Sequence, residues 1–155
     1  MTHTDHDIRV LNGLIATTID SILGYEESAK EVESGLFAEK FEARANERRQ
    51  IVGQLRREVE RLGGKPEDDG TLLAGAQRAF FNFKLTVSDL DDQAVIAEVE
   101  RSEDHIKSKF SEALADEKLS PETRSAIESA FQSVVAGHEQ MSTLKHSITS
   151  EGTTA

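Results

Sequence analysis

The 155-residue chain has no cysteine and no tryptophan, a single tyrosine and only two prolines. Without cysteine, a disulfide, a thiolate zinc site, an iron–sulfur cluster and a cysteine nucleophile are all excluded. No stretch approaches the roughly 20 apolar residues of a membrane span. The start, MTHTDHDIRV, carries neither the basic nor the apolar region of a secretory signal. These absences predict a soluble, cytoplasmic protein. Positive charge is also scarce: 18 Lys and Arg stand against 29 Asp and Glu, a net charge of −11. That balance disfavours nucleic acid and anionic membranes as partners, because both select for basic patches.

What the chain has in quantity is Ala, Glu, Lys, Leu and Arg, a helical composition. Its length predicts one domain over 1–155, with an ordered core of about 7–148 and flexible termini. Apolar residues recur at alternating steps of three and four, so each helix presents one stripe to a core. The first stripe is Leu11, Ile15, Thr18, Ile22, Tyr25, Ala29, Val32, on a helix expected from about Asp7 to Ser34 and ended by Gly35. The second is Ala38, Phe41, Ala45, Arg48, Val52, Leu55, Val59, Leu62, stopped by Gly63 and Gly64 ahead of Pro66. A shorter helix over about 71–87 carries Leu72, Leu73, Ala76, Phe80, Phe83 and Val87. Ser88 to Asp92 reads as an acidic cap for a third long helix, with the stripe Ile96, Val99, Glu103, Ile106, Phe110, Ala113. Ser120-Pro121 restarts the chain as N-cap and first helical residue. The fourth long helix has Ile127, Phe131, Val134, His138, Met141 and Ile148 in line, and is expected to end near Ser147.

Tight turns join the first two long helices and the last two, so each pair is expected to be antiparallel. The short helix, about 25 Å long at 1.5 Å per residue, can carry the chain from one end back to the other. The predicted fold is all-α, a ferritin-like four-helix bundle of two antiparallel pairs with a short crossover helix between helices 2 and 3. A simple up-and-down five-helix array is the rival that periodicity does not separate from it. Phe81 faces away from Phe80 and Phe83, which makes the crossover helix the expected surface of a homodimer, with ordinary core packing of the three rings as the alternative.

The segments LNGLIATTIDSILGYEESAKE, ERRQIVGQLRREVERLGGKPED, AVIAEVERSEDHIKSKFSEAL and AGHEQMSTLK resemble a bacterial family of ferritin-like four-helix-bundle proteins of unknown function. The resemblance runs from about Ile8 to Lys145. Its most specific elements are the LGGKP helix stop, the ERSED segment and the late His of AGHEQ. It implies a ferritin-like bundle and carries no reaction with it.

Three residues interrupt the apolar stripes near mid-length: Arg48, Glu103 and His138. Facing one core, they form a buried polar cluster, with Glu103 accepting from the Arg48 guanidinium and from a His138 nitrogen and Thr18 or Tyr25 capping the remainder. A di-iron site of the ferritin type instead needs a Glu from each of two helices and a Glu-x-x-His pair from each of the others. No Glu-x-x-His occurs in the chain; Glu47 to Gln50 has that spacing with Gln in place of His. The remaining metal candidates are Glu47, Glu100, Glu103 and His138, a degenerate iron site that requires Arg48 to turn away. His3 and His6 form an HxxH read as a solvated tail. No phosphate loop, nucleophile signature or catalytic carboxylate pair stands out. The first reading is therefore a non-enzymatic bundle protein with a metal-free polar cluster, stress-associated by fold analogy alone. The alternative is a metal-binding or redox protein of the ferritin and rubrerythrin type.

Overall fold

The computed structural model describes residues 3–70 and 92–153, which among them form four helices and no strand. They are α1 (His3–Glu31), α2 (Gly35–Arg61), α3 (Asp92–Leu114) and α4 (Pro121–Thr153). The crossover helix expected over 71–87, and the dimer surface near Phe81, lie outside the described residues. No helix among the described residues is long and apolar enough to cross a membrane.

The boundaries follow from local chemistry. α1 ends at Glu31 rather than Ser34, because Ser34 is taken by α2 as its N-cap. The Ser34 hydroxyl accepts from the Phe37 N–H, so Gly35 begins α2 instead of ending α1. α2 closes as the LGGKP motif predicts. Gly63 takes a positive φ of 83°, its N–H reaches the Glu60 carbonyl, and the Gly64 N–H reaches Val59. This double bond pattern satisfies the last carbonyls and needs glycine at the left-handed position. α3 ends where the Arg124 guanidinium donates to the carbonyls of Leu114 and Asp116, at 2.5 and 2.6 Å. α4 starts at Pro121 with the Ser120 hydroxyl accepting from the Thr123 N–H. It then continues to Thr153, past its expected end, since no proline interrupts that stretch.

Contacts between helices fix their directions. Tyr25 and Phe41 meet at 6.0 Å between ring centroids, and at the other end Gly64 lies against Ile8, so α1 and α2 are antiparallel. Phe110 stacks on Phe131 at 6.2 Å and His138 meets Asp104, which makes α3 and α4 antiparallel as well. α1 also packs along α3, and α2 along α4. α2 and α3 consequently run in the same direction, and the end of one lies far from the start of the other. The chain leaving α2 turns back along α1: the Asn12 side chain donates to the Lys65 carbonyl and accepts from the Glu67 N–H.

The core is in two parts. One holds Leu11, Ile15, Leu55, Val59, Ile106, Phe110, Ile127 and Val134; the other holds Tyr25, Phe41, Ala45, Ile96, Val99 and Met141. Their apolar burial drives the association of the helices, at about 1.5–3 kcal/mol for each fully buried large side chain.

Polar groups lock the ends. Asp7, 1 % exposed, accepts from Thr123 Oγ1 at 2.9 Å and from the Ser120 hydroxyl and N–H at 2.5 and 3.3 Å. It thereby ties the first turn of α1 to the start of α4. His6 reaches the Asp116 carboxylate at 2.7 Å, so it is part of the fold and not of a solvated tail. The Lys118 N–H and then His6 hold the Asp116 carboxyl below its usual range. At the other end, Asp92, in the first turn of α3, accepts from the N–H groups of Glu33 and Ser34, clamping the α1–α2 turn to α3; the remainder of the expected cap over 88–91 lies outside the described residues. Asp7→Ala is expected to lower stability by about 2–3 kcal/mol in urea denaturation, because it strands buried hydroxyl donors that face a charged acceptor. A change within about 0.5 kcal/mol, the range of ordinary surface substitutions, contradicts this role.

Candidate functional site

Between the two halves of the core lies a layer of buried charge. Arg48, on the inward face of α2, is fully buried, and Glu103, on the inward face of α3, is 1 % exposed. Both arrive there because they occupy stripe positions flanked by apolar residues, Ala45 and Val52 on one helix, Val99 and Ile106 on the other. Arg48 Nη2 donates to Glu103 Oε1 at 2.9 Å and to Oε2 at 2.8 Å, and Nη1 approaches the Ser21 hydroxyl at 3.5 Å. The Tyr25 hydroxyl donates to Glu103 Oε1. The guanidinium carbon also lies 5.9 Å from the centre of the Tyr25 ring, within cation–π range. Thr18, named with Tyr25 as a possible cap for Glu103, instead donates to the Leu14 carbonyl of its own helix at 2.7 Å.

Tyr25 is 3 % exposed, and its pKa is raised well above the ordinary 10.0. Burial is the main cause, followed by the neighbouring Glu103 charge; the phenol's hydrogen bond to that carboxylate adds to the effect, while Arg48 opposes it.

His138 does not join this layer. It is half-buried at the flank of α4 and bonds Asp104 on α3 at 2.5 Å. The position that α4 turns toward the arginines is Gly137. A Cβ built there would stand 2.6 Å from Arg48 Nη2 and 3.2 Å from Arg44 Nη1. The buried stripe of α4 thus includes Ile127, Ala130, Val134, Gly137 and Met141; the expected Phe131 is half-buried and packs on Phe110, while His138 gives way to Gly137. The expected and the buried sets both fit steps of three and four. At position 137 glycine leaves room for two guanidinium groups.

The other candidate ligands are similarly dispersed. Glu47 is half-buried and pairs with Arg44 one turn earlier on the same helix. Glu100 is half-buried one turn before Glu103 on α3. Among the described residues no three His, Asp or Glu side chains are grouped so as to hold a metal ion. In this arrangement both oxygens of Glu103 are held by the Arg48 guanidinium, and His138 faces the Asp104 carboxylate. Sequence reasoning also missed Arg44, which is 6 % exposed. The signal was its spacing, one turn before Arg48 on the same face.

The chemistry on show is that of a neutralised ion pair inside an all-helical protein. The family described as Domain of unknown function (DUF2383) matches residues 6–116, more than two thirds of the chain, and the chain belongs to that family. The match includes Tyr25, Arg48 and Glu103 and stops before α4. No curated protein matches the chain.

Tyr25 is the sole tyrosine, so tyrosinate absorbance reports on this layer alone. Because its folded pKa is raised, its contribution to stability is complete below the unfolded value of about 10. Above that pH the unfolded chain ionises while the native phenol keeps its proton, so stability falls as pH rises toward the folded pKa. In an alkaline titration the absorbance should stay silent past about pH 10 and appear together with loss of the helical circular-dichroism signal. Tyrosinate forming near pH 10 with the helices intact contradicts the buried bond to Glu103.

Proposed function

We propose that this protein is a non-enzymatic helical bundle of ferritin-like arrangement, in which a buried ion pair stands where related architectures hold metal. The observation that carries the reading is Arg48 Nη2 bonded to both oxygens of Glu103, with neither side chain exposed by more than 1 %. A guanidinium in that place supplies the positive charge that a cation would otherwise supply. The neighbouring phenol is held protonated, and Arg48 and Glu103 neutralise each other, so no general acid or base is poised there for work near neutral pH. The ferritin-like topology rests on the parallel course of α2 and α3 and on the two antiparallel pairs. Such a protein works through its surface and its stability; a stress-associated role rests on fold analogy alone.

The test is anaerobic titration with Fe(II) of protein purified without a histidine tag, followed by exposure to air. The expected result is no stoichiometric iron uptake and no ferroxidase absorbance change. Stoichiometric iron that is lost in Glu103→Ala and His138→Ala overturns the reading in favour of a redox centre.

A further inference from the structure

On the side of the molecule where α2 faces α4, a groove of about 910 Å³ lies between the N-terminal part of α2 and the C-terminal half of α4. Phe37 and Leu36 on α2 and Met141 and Leu144 on α4 give it apolar walls; Leu36 is 59 % exposed, the one large hydrophobic residue so exposed among those described. Two cations, Lys40 and Arg44, also line it. Arg44 is the unusual one. Its side chain is only 8 % exposed, Nη2 is bonded to Glu47, and Nη1 is sealed from water without a hydrogen-bond partner. A buried guanidinium N–H left in that condition is costly, and an acceptor brought to it recovers that cost.

The layout is that of an amphiphile site. Arg44 marks the inner end, beside Gly137, and Leu36 and Leu144 mark the outer end two helical turns away, a length of about 12 Å. Glu139, the carboxylate on the α4 wall, is exposed to water, and Glu47 meets only Nη2 of Arg44, so Nη1 remains as a donor with no acceptor at the inner end. We propose that the groove binds a small amphiphilic carboxylate, its head accepted by Arg44 and Lys40 and its chain laid along Phe37, Met141 and Leu144. A ligand with a single negative charge suits this place better than a second copy of the chain, which brings its own net −11. The proposal is independent of the role given to the Arg48–Glu103 pair.

Isothermal titration of the full chain with decanoate, with decanol as the neutral control, tests it. The expected result is saturable one-to-one binding of decanoate, much weaker binding of decanol, and a loss of about tenfold or more in Arg44→Gln. Lys40→Gln and Leu36→Asp change exposed residues and are expected to weaken binding with helicity unchanged. They decide the matter if Arg44→Gln does not fold. No saturable binding, equal binding of decanol, or unchanged binding in the folded variants overturns the proposal. A dimer in sedimentation that Leu36→Asp dissociates overturns it in favour of a second copy as the occupant.

Discussion

The bond between Arg48 and Glu103 is the constraint around which the rest of the structure is arranged. Two full charges removed from water cost several kcal/mol each, and their attraction offsets this only when the remaining donors and acceptors are also met. The surroundings supply what is missing. Tyr25 donates to the carboxylate and offers its ring to the guanidinium, Ser21 sits near the second arginine nitrogen, and Gly137 removes the side chain that would otherwise collide with it. Four helices contribute to one layer: α1 through Ser21 and Tyr25, α2 through Arg48, α3 through Glu103 and α4 through Gly137. The apolar core lies in two clusters on either side, with Ile22 packed against both. Apolar packing alone tolerates sliding by a turn. A charge layer of this kind does not, since any slip leaves a buried charge unmatched.

The ends of the molecule obey a similar logic with smaller stakes. Asp7 gathers the Ser120 and Thr123 hydroxyls, Arg124 covers the last carbonyls of α3, and Asp92 holds the α1–α2 turn. The Asp7 and Asp92 contacts join residues distant in sequence, so the helical hairpins are fastened at both ends as well as in the middle. Stability is thus distributed, while specificity is concentrated in the central layer.

Much of this was legible in the sequence, because it depends on periodicity and caps. The stripes of α1, α2 and α3 named Leu11, Phe41, Leu55, Ile106 and Phe110, all of which are buried, and the LGGKP stop is formed as its glycines suggest. Arg48 and Glu103 stood out because a charge on an apolar stripe demands a partner. On α4 the expected Ile127, Val134 and Met141 are buried and Phe131 packs against the core, but Gly137 takes the inward place expected of His138. The room that glycine leaves there for arginines on another helix is something no local pattern records. Arg44 was overlooked although its spacing, one turn before Arg48 on the same face, marks it, and His6 because its partner, Asp116, is supplied only by tertiary packing. Gly35 was misread because a glycine at a helix boundary serves equally as the end of one helix or the start of the next.

The measurement that tests the central claim most directly is a double-mutant cycle on the buried pair, with Arg48→Met, Glu103→Leu and the two combined, followed by chemical denaturation. Each single change strands one buried charge and should cost about 3–5 kcal/mol, while the double variant should lose far less than the sum. A double variant whose loss equals the sum of the singles would mean that the two residues do not depend on one another, and the account of a charge layer fixing the packing would fail.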